Sequence, residues 1–407
     1  MAKKTRSASI LFIFITLAID AIGLGIILPV LPDVIRKFVS AETSVAHYYG
    51  YFIAAYALLQ FVSSPLLGRI SDRYGRRPIL LVSLLGAGID YLFMAFAPTL
   101  PLLFVGRIIS GISGASFTVA SAYIADISND ENRSKNFGVM GAGFGIGFIL
   151  GPAIGGLLAT YGSSVPFMAA AAFNILNFCF GLFVLPESLP LEKRRGFVLK
   201  DLNPLKSLAS LGRMPQVSGL ILAFALMQLA GQTHPSIWTI YTEHRFGWSA
   251  KEVGISFAFV GVLSALSQGL LTGPMVKRFG ERWCVRWGCL GEVFGFAAFG
   301  LATTGTMLYV VLFLCAFFWP AHPSLQSLIS RAIPASEQGE VQGALMSLTS
   351  LCAIINPIVM TALFAKTTEV GSGISLPGSP YFLASLLFLC AFFIIRRWEK
   401  TQPSSEI

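Results

Sequence analysis

Gly68-Arg69-Ile70-Ser71-Asp72-Arg73-Tyr74-Gly75-Arg76-Arg77 decides the reading of this chain. Gly68 and Gly75 permit a tight turn. Arg73, Arg76 and Arg77 hold that turn at a polar face, and Asp72 can pair with them or with a helix N-terminus. A looser copy, Gly273-Pro274-Met275-Val276-Lys277-Arg278-Phe279-Gly280-Glu281-Arg282, follows 205 residues later. At that offset Gly138 also meets Gly343 and Pro152 meets Pro357. One offset shared by separate segments implies a duplicated chain, read here as halves 1–186 and 214–407 joined by a charged linker, 187–213.

What flanks the turns is apolar. Charged residues are 12% of the 407 and hydrophobic ones 55%, against roughly 25% charged in a typical soluble protein. Mean hydropathy is +0.72. So few charges cannot cover a soluble globule of this size, and the surrounding solvent must be lipid. A bilayer core needs roughly 20 apolar residues per helix. On that measure twelve segments qualify, near 9–31, 48–67, 78–97, 100–124, 137–160, 165–185, 215–240, 252–275, 284–304, 307–329, 341–365 and 379–396. These are continuous apolar runs, so they predict helices; an outer-membrane barrel would show short alternating segments. The expected fold is an all-α integral membrane protein of twelve transmembrane helices in two pseudo-symmetric six-helix halves. Duplicated halves around a midplane cavity are a transporter design.

The first apolar run follows Lys3, Lys4 and Arg6 as a secretion signal would. It is too long for one, contains Asp20 and lacks a small-x-small cleavage site, so it reads as an uncleaved first helix. The six cysteines (Cys179, Cys284, Cys289, Cys315, Cys352, Cys390) lie in or at the ends of spans without metal-type spacing, which predicts packing residues rather than disulfides or ligands. The net charge of +9 has a topological reading. Of the 29 Lys and Arg, Arg107 lies within a span, five (Arg36, Lys37, Arg245, Lys251, Lys366) fall on one side, and the remaining 23 fall on the side of the termini. The positive-inside rule then places both termini in the cytoplasm. No basic face on a soluble domain is left to suggest a nucleic-acid partner.

In the spacing of its Gly68–Arg77 loop the chain resembles the major facilitator superfamily, whose signature loop reads G-x-x-x-D-R-x-G-R-R. The resemblance covers nearly the whole length. Arg107-Ile108-Ile109-Ser110-Gly111 looks like that family's fourth-span arginine motif. The stretch from Gly143 to Gly156, with Gly147, Gly151, Pro152 and Gly155, looks like the fifth-span motif of drug/proton antiporters. Asp20 to Pro32 resembles the first-span motif of twelve-span exporters. Ala122-Tyr123-Ile124-Ala125-Asp126-Ile127 and Arg245-Phe246-Gly247-Trp248 point to the tetracycline/proton antiporter branch. There are two departures. Ser264 stands where that branch carries a histidine in the eighth span, and Glu292 stands where it carries an aspartate in the ninth.

Ionisable groups at membrane depth are costly, and each is a functional hypothesis by default. Burial favours the neutral form of a carboxyl and a nearby cation favours the charged form, so such a group can trade a proton for a cationic substrate. Asp20, Arg107 and Glu292 are the expected proton-coupling residues, each with a purely structural alternative. Gln60, Asp90, Gln228, Gln232, His234 and Gln326 are the expected substrate contacts. His234 and His322 can stand in for the absent histidine, or break helices beside their neighbouring prolines. Gly143, Gly147 and Gly151 recur every four residues, a small-residue stripe that lets another helix approach closely. In the family this stripe packs against the opposite half and acts in gating; ordinary tight packing is the alternative. Gly68, Asp72, Arg73, Gly75, Arg76, Arg77, Gly143, Gly147, Gly151, Pro152, Gly155 and Gly156 form the motif set.

Nucleotide, metal and nucleophile motifs are missing from the sequence: no G-x-x-x-x-G-K-[ST], H-E-x-x-H or G-x-S-x-G occurs. No cofactor, metal or enzymatic activity is expected. The expectation is a monomeric inner-membrane antiporter that exports small amphiphilic drugs, tetracycline-like, in exchange for protons by alternating access. Its partners are that substrate, protons and the bilayer. The alternatives are a facilitator or proton symporter for another metabolite, and a non-transporting membrane receptor or scaffold.

Overall fold

The computed structural model describes residues 2–114, 116–129, 131–194, 217–334, 337–369 and 375–401. The expected linker, 187–213, lies largely outside them. Among the described residues the regular structure is helical. Ten helices among the described residues are long and apolar enough to cross a membrane, from Ile10–Arg36 to Ser379–Lys400. The seventh and tenth crossings are broken pairs, Ser218–Gly231 with Thr233–Phe246, and Gly305–Cys315 with Ala321–Arg331. The chain is a twelve-span, multi-pass membrane protein. Large apolar side chains such as Phe183 (88% exposed), Phe294 and Leu176 face outward, as lipid-facing positions should.

The breaks have local causes. Proline brings no N–H to the carbonyl four residues earlier. Pro320 therefore leaves the Ala316 carbonyl without its helical donor, and the Ser267 hydroxyl donates to it instead at 2.7 Å. Ser267 itself opens a short π-helical stretch, Ser267–Leu271, in the eighth span. The fourth span is interrupted too, between Leu100–Ser113 and Ser116–Ile127. There the Gln60 amide donates to the Gly114 carbonyl at 2.8 Å. A polar side chain from a neighbouring span thus satisfies backbone freed at both breaks.

The 205-residue repeat extends from sequence into geometry. Helices Arg76–Phe96 and Glu281–Leu301 begin and end 205 residues apart. The glycines before them both adopt positive φ, Gly75 at 106° and Gly280 at 82°; only glycine reaches that region without strain. The caps of the following spans match as well: Thr99 at φ −141°, ψ 151° and Thr304 at φ −134°, ψ 151°.

By its internal contacts the chain resolves into two compact units. One holds Met1–Ser40, Ala55–Asn203 and Ser249–Gly261; the other holds Ala41–Ala54, Pro204–Trp248 and Val262–Ile407. In the first, the core gathers Phe12, Ile13, Leu17, Leu80, Leu84, Val119 and Tyr123. In the second, Trp238, Tyr241, Phe299, Tyr381 and Phe388 are fully buried.

Candidate functional site

The first unit encloses a polar cavity of about 60 Å³, lined by Asp20, Tyr56, Gln60, Ser83, Tyr91, Ser110, Ser113 and Ser116, with Leu17, Leu24, Phe117 and Phe144 as apolar wall. Four elements supply the polar set. Asp20 sits midway along the first span, and its carboxylate accepts a hydrogen bond from Ser116 at the start of the second half of the broken fourth span. Gln60 of the second span donates to both the Gly114 carbonyl and the Tyr56 hydroxyl, the latter at 3.1 Å. Tyr91 of the third span lies against Gly23. A Cβ at Gly23 would stand 2.7 Å from the Tyr91 ring carbon that bears the hydroxyl, so only glycine lets the phenol reach the cavity. Among the described residues Asp20 has no ion-pair partner.

Behind this cavity lies a charge pair. Asp90, fully buried, and Arg107, 3% exposed, form an ion pair in which the guanidinium uses two nitrogens: Nε donates to Oδ1 at 3.2 Å and Nη2 meets Oδ2. The same guanidinium stacks over the Tyr56 ring, 5.6 Å from its centroid. The structure therefore brings Asp20, Asp90 and Arg107 into one neighbourhood but in two roles. Asp20 lines the cavity; Asp90 and Arg107 neutralise each other beside it.

The remaining expected residues sit elsewhere. Glu292, 4% exposed, lies in the second unit near Cys289, Cys315 and Gly295. Its Oε1 has no hydrogen-bond partner among the described residues. Gln228 donates to Thr349 at 2.9 Å, and Gln326 donates to Gln342 at 3.0 Å on an exposed face. The Gln232 carbonyl, at the break of the seventh span, accepts from Ser236. His234 is enclosed by Trp238, Phe296, Phe299 and Tyr381, with ring centroids 4.7–5.6 Å away. His322 Nε2 faces Gly231. Ser264 accepts from Gln268 at 2.8 Å.

The motif loop is a closed network. Arg76 pairs with Asp72 at 2.6 Å and with Asp126 at 3.1 Å. The backbone N–H groups of Arg76 and Arg77, which open the third span, donate to the Glu187 carboxylate at 2.8 and 3.2 Å. A carboxylate there satisfies orphan helix donors and opposes the helix dipole. The small-residue stripe packs on the first span: Gly143 meets Phe14, Gly147 meets Ala18, Gly151 meets Ile22 and Gly25, and Gly155 meets Ile26. Pro152 and Gly156 face Gly254 and Ala250 at the start of the eighth span.

Sequence reasoning passed over Tyr56, Tyr91, Ser110, Ser113, Ser116 and Glu187. The serines carried a signal, three hydroxyls three residues apart in one span. Glu187 carried a weaker one, an acid between Pro186 and Pro190 just beyond the sixth span.

Known proteins complete the picture. A family model described as Major Facilitator Superfamily matches residues 13–357 and again 220–406. The chain belongs to the major facilitator superfamily. It is 41% identical over 390 residues to the tetracycline resistance protein, class C, of Escherichia coli, covering 96% of this chain and 97% of that one. It is 28% identical over 372 residues to multidrug resistance protein 2 of Bacillus subtilis (strain 168), covering 89% and 91%. Among solved structures, a bacterial homolog of the human lysosomal transporter Spinster, inward-facing and occupied, aligns with a TM-score of 0.79 at 15% identity, covering 98% of this chain and 97% of that one. At that identity the likeness is one of fold. As a superfamily member, the chain handles a small-molecule substrate.

Proposed function

We propose that this protein exports small amphiphilic drugs of the tetracycline type from the cytoplasm in exchange for protons, by alternating access, as a monomer in the inner membrane with both termini cytoplasmic. One observation carries the reading: Asp20 lines a polar cavity with Ser116 as its hydrogen-bond donor and, among the described residues, no cation as partner. A carboxylate so placed can hold a proton or the cationic group of a substrate, one excluding the other. Asp90 and Arg107 do not compete for that role, because each already neutralises the other; Arg107 instead sets the field at Tyr56. A cavity of about 60 Å³ is well below the roughly 300 Å³ at which small-molecule sites begin. It therefore holds water and one polar corner of a substrate, the exchange chamber rather than the whole binding site. Glu292 is the second protonatable group. Near-full-length similarity to tetracycline resistance proteins supports the substrate class.

In inverted vesicles energised by respiration, added tetracycline is expected to draw protons out of the lumen as it enters. A facilitator would move drug with no pH signal. A receptor or scaffold would move nothing.

A further inference from the structure

The copied loop of the second half does not repeat the chemistry of the first. Around Gly75, Arg76 is paired with Asp72 and Asp126, and Glu187 accepts from the backbone N–H groups of Arg76 and Arg77. At the two corresponding positions that fall 205 residues on, Asp72 becomes Lys277 and Asp126 becomes Arg331. The one acid of the copied turn, Glu281, is already engaged by Arg331 at 3.1 Å and Ser327 at 2.7 Å. Lys277 and Arg278 are exposed and make no ion pair with a described residue.

More cations join them. The end of the twelfth span packs onto the start of the ninth: Arg282 stacks over Trp398, 5.7 Å from its centroid, and Arg286 reaches Glu399 at 3.6 Å. This brings exposed Arg396, Arg397 and Lys400 to the same end of the unit. Alongside runs an aromatic ladder. Phe279 stacks on Trp283 at 4.4 Å and Trp283 tilts against Trp287 at 6.1 Å, with Phe279 and Trp287 each 44% exposed. Arg278 and Arg286 lie over rings of that ladder. In the first half the ladder's places are held by Tyr74, Pro78 and Val82, and that of Arg286 by Leu81.

We propose that this face binds the headgroup of an anionic phospholipid. Tryptophan and tyrosine settle at the membrane interface, which puts the ladder at headgroup depth. Clustered Lys and Arg at such a position complement a phosphodiester and attract anionic lipid. Lys277 and Arg278, exposed and in no ion pair with a described residue, lie beside the aromatic ladder and so supply both halves of such a ligand with contacts.

The full-length protein, reconstituted in vesicles of phosphatidylethanolamine and phosphatidylglycerol at about 3:1, tests this through its own tryptophans when one lipid or the other carries brominated chains. Wild type is expected to be quenched by brominated phosphatidylglycerol beyond its share of the bilayer, with an apparent preference of about fivefold, the worth of one juxtamembrane cation. Lys277→Gln/Arg278→Gln/Arg396→Gln/Arg397→Gln is expected to lose that preference. Arg278→Lys/Arg396→Lys/Arg397→Lys, which keeps the charge, and Arg133→Gln/Lys135→Gln, which removes exposed cations of the first half, are expected to retain it. Equal quenching by the two lipids in wild type, or a preference that survives the fourfold neutralisation, would overturn the proposal.

Discussion

The two halves share a backbone and solve the problem of a buried acid in opposite ways. In the first half Asp90 is matched to Arg107, and Asp20 beside them is left to a polar cavity. In the second half the positions 205 residues on from Asp90 and Arg107 are Gly295 and Leu312, and Glu292 stands beside Cys289 and Cys315 with no ion-pair partner among the described residues. The third and ninth spans keep their helix ends and the glycine turn before them in register while their interiors differ. A charge pair can only be kept or lost whole, since either partner alone is a desolvated, uncompensated ion.

That contrast can be broken by mutation, and the largest effect is expected at the pair. Arg107→Leu should cost about 3–5 kcal/mol and sharply reduce the folded, monodisperse protein recovered after solubilisation. Asp90→Gly/Arg107→Leu, which installs the second half's own residues, should recover much of it. If the double variant is no better folded than the single, the pairing does not govern stability here. Glu292→Gln removes a charge that has no partner to strand and should leave recovery near wild type by the same assay.

A smaller effect tests packing. The stripe glycines meet first-span backbone: a Cβ at Gly151 would lie 2.9 Å from the Gly25 Cα, closer than backbone can yield. Gly151→Leu should destabilise by about 1–3 kcal/mol through overpacking, read as a lowered melting temperature in detergent. Gly138 has nothing near it, and Gly138→Ala should leave the melting temperature unchanged.

The smallest effects are expected at the helix breaks. Gln60→Leu leaves the Gly114 carbonyl without its side-chain donor, and Ser267→Ala does the same for Ala316; each should cost about 0.5–1.5 kcal/mol, the net worth of one hydrogen bond, a modest drop in melting temperature. Gln60→Leu alone should also impair transport, since only that cap faces the cavity.

Most of the architecture was legible because it rests on composition and period. Long apolar runs, glycines at turns and one offset shared by Gly68, Gly138 and Pro152 suffice for twelve spans and a duplication. The broken spans show less clearly, since Gly114 and Pro320 sit inside runs whose hydropathy barely changes. The candidate site was legible residue by residue but not in its partnerships. Asp20, Arg107 and Asp90 each announce themselves by charge. That Asp90 and Arg107 satisfy each other, leaving Asp20 to Ser116, depends on how three helices are rotated about their axes. Tyr56 and Tyr91 were invisible for the plainer reason that aromatic side chains are common in lipid-facing positions. Asp126 stood out in the sequence only as part of the Ala122–Ile127 stretch; its pairing with Arg76 required a contact between residues 50 apart.

The central claim, that Asp20 alone of the first-half acids exchanges protons for substrate, is tested most directly in energised inverted vesicles by following luminal proton release on addition of tetracycline. Wild type should release protons in proportion to drug, and Asp20→Asn should release none while remaining folded. Undiminished drug-dependent proton release in Asp20→Asn would contradict the account.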